Sequence, residues 1–266
     1  MDDFEKLKDK ISRDKHFSCN QYKDPYLKRR FAIRMRATGA KTYRNYMKVL
    51  DTVSDEYQVL LDVLTVNVTE FFRDVGVFKE VEGVLRSIIK EKQEKKQNSL
   101  RIWSAGCSNG SEVYTISILL DQILGPNVKN FKITLLATDI DDMSLKRGRE
   151  GIYNPDLLKG VKSTYLKKYF EKTDDGRYQV IAPNRKMVTF RKHDLINDRP
   201  QTMMDVVFCR NVVIYFSREL QETLFVNFYK SLVDGGHFVM GKTETLVGDA
   251  KDKFIPVNNK ERIYRK

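Results

Sequence analysis

Two stretches of this chain bring together residues that can hold a small ligand. The first is Arg101-Ile-Trp-Ser-Ala-Gly-Cys-Ser-Asn-Gly-Ser-Glu112, and the second is Leu135-Leu-Ala-Thr-Asp139. The first predicts a buried strand, a tight glycine turn and a helix beginning near Glu112. The second predicts another buried strand that ends in an acid. In an open α/β sheet this pairing holds an adenosine-containing cofactor: the glycine turn lets backbone approach the ligand, and the acid grips ribose hydroxyls. A carboxylate closing an otherwise apolar strand is costly to bury without a partner, so Asp139 points to a bound group.

The turn itself, Gly106-Cys-Ser-Asn-Gly110, narrows the choice of cofactor. It lacks the third glycine of the dinucleotide fingerprint, and Glu112 near the helix start would oppose a diphosphate. No Gly-Lys-Ser/Thr follows, so it is not a Walker loop. A turn with an acid beside it suits a cofactor that carries a positive charge or an amine. S-adenosylmethionine has both, in its sulfonium and its α-amino group.

The elements that position these residues follow from pattern. Residues 1–75 are predicted helical, with almost no glycine and Pro25 as their only proline. Asp24-Pro25 starts a helix that Gly39 ends, and it carries Lys28, Arg29, Arg30, Arg34 and Arg36 with no acid among them. A helix over 76–98 runs out in a polar, lysine-rich connector. Strands are then expected at 100–105, 132–138, 188–191, 205–210 and 236–240, with helices at 112–124, 142–148, 164–169 and 218–233. This alternation is the pattern of a mostly parallel, doubly wound α/β sheet. Asp174-Asp-Gly-Arg177 is a hairpin signal, so a small antiparallel excursion is placed near 170–191. Two segments of the tail, Phe254–Val257 and Glu261–Tyr264, are expected as edge strands.

Bulk properties exclude several classes. A chain of 266 residues with 41% hydrophobic content can bury a real core. It shows no apolar run long enough for a membrane span and no apolar signal region, so no membrane insertion is expected. Cys19, Cys107 and Cys209 are odd in number and lack metal-ligand spacing, which indicates a reduced, cytoplasmic protein without a metal centre. The net charge of +12 suggests an anionic partner.

The chain resembles the CheR-type chemoreceptor glutamate O-methyltransferases over nearly its whole length. The motifs that carry the resemblance are Thr65-Val-Asn-Val-Thr-Glu-Phe-Phe-Arg73, Trp103-Ser-Ala-Gly-Cys-Ser-Asn-Gly-Ser-Glu-Val-Tyr114 and Ala137-Thr-Asp-Ile-Asp141. Phe208-Cys-Arg-Asn-Val-Val-Ile-Tyr-Phe216 and Gly235-Gly-His-Phe-Val-Met-Gly-Lys-Thr-Glu244 complete the set. The resemblance implies a class I S-adenosylmethionine-dependent methyltransferase domain with a Rossmann-like sheet over 76–266. It also implies a helical N-terminal domain over 1–75, a small antiparallel β-subdomain, and receptor glutamates as methyl acceptors.

The resemblance also implies roles. Asn67, Thr69 and Arg73 line the cofactor pocket, together with Gly106, Glu112, Asp139, Asp194, Leu195, Arg210 and Asn211. Asp139 matches the ribose-binding acid, and the His193-Asp194-Leu195 segment brackets the adenine. Arg73 and Tyr215 are the expected catalytic residues, with Arg73 orienting the acceptor carboxylate. Arg29, Arg30, Arg34 and Arg36 are expected to face the glutamate-rich receptor helices. The chain departs from the family at Gly110-Ser-Glu-Val-Tyr114, where the familiar turn has Gly-Glu-Glu-Pro-Tyr. The antiparallel excursion is short, and its only turn glycine is Gly176, so docking of a receptor's C-terminal pentapeptide is not expected. A monomer is expected. Against a nucleic-acid methylase, Arg210-Asn-Val-Val213 stands where an amino-group methylase carries Asn/Asp-Pro-Pro-Tyr/Phe. The alternatives are a sensor of S-adenosylmethionine or its product S-adenosylhomocysteine, and methylation of another protein or of RNA.

Overall fold

A computed structural model describes residues 2–65 and 69–266 of the chain, which divides into two compact units. The first comprises residues 1–66 with Tyr215–Gln221, and the second comprises Asn67–Ile214 with Glu222–Lys266.

Among its described residues, the first unit holds the helices α1 Asp3–Lys15, α2 Asp24–Thr38, α3 Tyr43–Thr52 and α4 Glu56–Leu64. Local chemistry sets their ends. Pro25 lies in the first turn of α2, where its missing N–H costs nothing, and Gly39 closes the helix at φ 73°. The Thr42 side chain caps α3 by accepting from the Asn45 amide at 3.2 Å. The core is aromatic and aliphatic: Phe4, Leu7 and Ile11 of α1 meet Leu27 and Phe31 of α2, Tyr46 of α3 and Leu60 of α4.

The second unit begins with α5 Val75–Glu94 and continues β1 Ser99–Ala105, α6 Ser111–Leu124, β2 Lys132–Asp139, α7 Asp142–Glu150 and β3 Ile152–Tyr153. There follow α8 Ser163–Tyr169, β4 Phe170–Lys172, β5 Tyr178–Val180, α9 Ala182–Met187, β6 Val188–Lys192 and β7 Met204–Cys209. The chain closes with α10 Arg218–Ser231, β8 Leu232–Met240, α11 Ala250–Lys253, β9 Ile255–Asn258 and β10 Ile263–Arg265. Seven strands form one sheet in the order β6-β2-β1-β7-β8-β10-β9. The first five run parallel, while β10 and β9 are antiparallel. The all-buried Met204–Cys209 strand and the buried end of β1 reflect burial on both faces.

The Asp174-Asp175-Gly176 hairpin forms, with the Thr173 amide donating to the Arg177 carbonyl at 2.9 Å and Gly176 at φ 83°. The antiparallel sheet is placed differently from the sequence reading. It consists of β3, β5 and β4, so it reaches back to Ile152 and ends at Val180. Val188–Lys192 instead joins the large sheet, parallel to β2 in the register Asp139↔Lys192. The turn at Ile181 and the short α9 redirect the chain between the two sheets. In the tail, β9 lies at the sheet edge, but β10 sits between β8 and β9.

Among the described residues, no helix is long and apolar enough to cross a membrane.

Candidate cofactor site

In the second unit, β1 has β2 on one side and β7 on the other, and the chain leaves β1 through α6 towards β2. The strand order therefore switches direction at β1, and ligands of open α/β sheets bind outside the C-terminal strand ends at such a point. Ala105, Asp139, Lys192 and Cys209 end β1, β2, β6 and β7 along this one edge.

The glycine turn is built onto β2. The amides of Gly106 and Cys107 both donate to the Thr138 carbonyl, at 2.8 and 2.9 Å. The next amide, Ser108, donates to Asp139 Oδ2 at 2.8 Å, and the Asp141 amide donates to Asp139 Oδ1 at 3.0 Å. Burial pushes the Asp139 carboxyl above its ordinary range, and these amides oppose that shift. Gly110 sits at φ 87°, and a β-carbon there would meet the Phe190 ring at 2.8 Å. Asn109 Oδ1 accepts from the Ser111 amide at 3.1 Å, which occupies one open donor at the start of α6.

Glu112, one residue into α6, is held on both oxygens. Ser104 Oγ donates to its Oε1 at 2.8 Å, and Arg210 Nη1 donates to its Oε2 at 3.3 Å. The Arg210 side chain is only 2% exposed. Its Nη2 also donates to Asp74 Oδ2 at 2.7 Å and to the Arg73 carbonyl at 3.0 Å. Arg210 thus lies between two carboxylates rather than projecting alone from the strand end.

Asn211 follows at φ 60°, the left-handed region that asparagine tolerates. The carboxylate of Glu244 braces this turn. Its Oε1 accepts from the Val212 and Val213 amides at 3.0 and 3.1 Å, and its Oε2 accepts from the Gly241 amide at 2.6 Å. Sequence reasoning gave Glu244 no role, although an acid just past an apolar strand was a visible signal. Asp74 and Ser104 were missed too, and their types alone gave no signal.

The His193 amide donates to the Asp139 carbonyl at 2.9 Å, which brings the 193–195 segment beside the end of β2. Asp194 spends its carboxylate locally, accepting from the Ile196 amide at 2.8 Å and from Asn197 Nδ2 at 2.7 Å. That leaves Leu195, half-buried, as the apolar member of the segment. Thr69 and Arg73 are half-buried and belong to this unit, and Asn67 lies outside the described residues.

The edge fits an adenosine cofactor with an amino-acid tail. Ser108 Oγ and Asn211 Oδ1 are buried, with no partner among the described residues. They lie in the turns that close β1 and β7. Buried polar atoms of this kind call for a hydrogen-bonding ligand. The carboxylates of Asp139 and Glu112 supply acceptors for hydroxyls and for an amine. Burial drives the Cys107 thiol well above its ordinary value, so it is no nucleophile at neutral pH.

Tyr215 is part of the first unit. Its ring lies 4.7 Å from that of Tyr26, and its carbonyl accepts from the Lys23 amide at 3.0 Å. On α2, Arg29 and Arg36 are exposed, while Arg30 lies over the Tyr26 ring at 5.3 Å. Arg34 is engaged inside the unit by a two-point pair with buried Glu56, at 2.9 and 2.7 Å. Burial alone would raise the Glu56 carboxyl, but Arg34 and the Tyr46 hydroxyl hold it below its ordinary value.

Residues 67–263 match the model of the CheR methyltransferase SAM-binding domain, and residues 2–65 match that of the CheR all-alpha domain. A chemotaxis protein methyltransferase of Borreliella burgdorferi is 33% identical over 244 residues, covering 90% of this chain and 86% of the relative. Chemotaxis protein methyltransferase 2 of Vibrio cholerae is 32% identical, covering 83% and 77% of the two chains. An uncharacterized 104.1 kDa protein of Rhodobacter capsulatus is 29% identical over 92% of this chain, which spans only 25% of that longer protein.

Proposed function

The chain belongs to the CheR methyltransferase family, and we propose that it transfers the methyl group of S-adenosylmethionine to glutamate side chains of chemoreceptors. The products are glutamate methyl esters and S-adenosylhomocysteine. The observation that carries this reading is the single sheet edge that gathers Gly106, Glu112, Asp139 and Asn211, within a segment matching a SAM-binding methyltransferase domain.

When bound, S-adenosylmethionine supplies a methyl group already activated by its sulfonium. Asp139 would hold the ribose hydroxyls, and Glu112 and Asn211 the amino-acid end. The Leu195 segment would cover the adenine. Thr69 is proposed to complete the pocket, as is Asn67, which lies outside the described residues. An acceptor glutamate has an ordinary pKa of about 4.3 and is ionised at neutral pH, so no general base is required. The remaining task is alignment. Arg73 is proposed to orient the acceptor carboxylate, since a guanidinium forms a two-point fork and does not deprotonate. Tyr215 is proposed as the second catalytic group on the resemblance of the Phe208–Phe216 motif to the family's.

The exposed Arg29 and Arg36 of α2, with Arg30, would attract a glutamate-rich receptor helix. In this reading Arg34 contributes by fixing α2 to α4 through Glu56. The enzyme is proposed to work in the cytoplasm as a monomer, with neither a nucleic-acid partner nor a pentapeptide tether. The tight Thr173–Arg177 turn, which leaves little loop to receive a peptide, supports the last point.

Incubation with methyl-labelled S-adenosylmethionine and receptor cytoplasmic fragments tests the proposal. Label should appear on the receptor and leave as methanol in mild alkali. Alkali-stable label, or transfer to RNA instead, would overturn it.

A further inference from the structure

Within the second unit, a chain of contacts runs from a half-buried turn to the carboxylate assigned to the cofactor's amine. It starts at Arg73–Asp74, between Phe72 at φ 54° and the first residue of α5, with Asp74 itself at φ 62°. Two contacts fasten the preceding backbone: the Phe71 amide donates to the Leu157 carbonyl at 3.1 Å, and the Phe72 amide donates to Thr115 Oγ1 at 3.1 Å. On the other side, Arg210 Nη2 reaches the Arg73 carbonyl and Asp74 Oδ2. The guanidinium lies over the Phe78 ring at 5.1 Å, which restricts its tilt. Its Nη1 then meets Glu112 Oε2.

We propose that Arg210 is a positioning residue that acts through its neighbours. Asp74 anchors the guanidinium, and the guanidinium orients Glu112 for the cofactor's amine. The same bracket fixes the backbone from which Arg73 projects. The proposal rests on S-adenosylmethionine binding at this sheet edge. It differs from a cofactor contact through the terminal nitrogens of Arg210, whose hydrogen bonds run to protein groups; Nε, buried and without a partner among the described residues, takes no part in it.

The chemistry favours arginine here. A planar fork spans two acids and a carbonyl at once, whereas a lysine ammonium is a point charge that satisfies one of them well. Burial makes the arrangement sensitive to its members, since loss of one partner leaves a charge uncompensated.

The test uses two probes, S-adenosylhomocysteine and 5′-methylthioadenosine, whose binding is measured by calorimetry. The first carries the amino-acid end and the second does not. Asp74→Asn is the principal variant: its side chain is 30% exposed, and the change keeps its shape. It should weaken S-adenosylhomocysteine by at least about twofold, the lower bound of the usual coupling between residues in one network, and leave methylthioadenosine unchanged. Arg210→Lys should show the same selective loss, and Arg210→Met a larger one, with thermal unfolding used to verify that each variant is folded. Equal losses for both probes, or none for either in Asp74→Asn, would overturn the positioning role. Failure of the unaltered protein to bind S-adenosylhomocysteine would overturn the cofactor reading itself, and the proposal with it.

Discussion

Gly106 lies against Val212: a β-carbon added at Gly106 would stand 2.5 Å from Val212 Cγ2. The turn after β1 and the turn after β7 therefore touch where the cofactor is proposed to lie. Gly106 also has φ 74°, a conformation that disfavours a side chain. Gly106→Ala should cost about 1–3 kcal/mol from backbone strain alone. It should also weaken S-adenosylhomocysteine, because one of the two turns must move. Unchanged affinity and unchanged urea midpoint would contradict this account of the turn.

Glu244 is 2% exposed and binds three backbone amides at the ends of β7 and β8. Glu244→Ala would leave these donors unpaired, each at a cost of about 1–3 kcal/mol. A loss of at least about 3 kcal/mol is expected from urea denaturation. A loss below about 1 kcal/mol would show that the turn holds itself.

His237, in β8, has its ring pKa lowered to about 4, first by burial and then by the Arg265 charge. The unfolded chain takes up this proton near the ordinary value of 6.5, but the folded protein does so only near 4. Its contribution to stability is therefore fully present above pH 6.5 and is lost as pH falls towards 4. In that window the protein should lose up to about 1.4 kcal/mol per pH unit more than a His237→Leu variant. His193, also shifted downward by burial, adds the same slope to both proteins. Parallel pH profiles for the two would contradict the prediction.

Arg73→Ala tests the division of labour proposed for the site. Methyl transfer should fall by about 100-fold through misplacement of the acceptor, while S-adenosylhomocysteine affinity stays within about threefold. Equal losses in both would assign Arg73 to the cofactor pocket instead.

What could be read from the sequence was chemistry contained in one local stretch. Strand, glycine turn and helix start follow one another from Arg101 to Glu112, so their arrangement was legible without tertiary information. The Arg210 network was not. Its partners Glu112 and Asp74 are separated from it by 98 and 136 residues, and nothing in their types announces the pairing. Arg34 shows the same limit. It falls in an acid-free basic run, yet its partner Glu56 arrives 22 residues later on another helix. Tyr215 follows a strand of the large sheet in sequence, but its ring packs with Tyr26 of the helical unit. The hairpin at Gly176 was legible from Asp-Gly, whereas its third strand, Ile152–Tyr153, is too short to leave a pattern.

The most direct measurement is to locate the methyl group on a receptor fragment by tandem mass spectrometry after reaction with S-adenosylmethionine. Methyl esters on glutamate side chains of the receptor's helical methylation region, lost after mild alkali, are the predicted result. Methyl groups on lysine, arginine or main-chain nitrogen, with glutamates unmodified, would contradict the account.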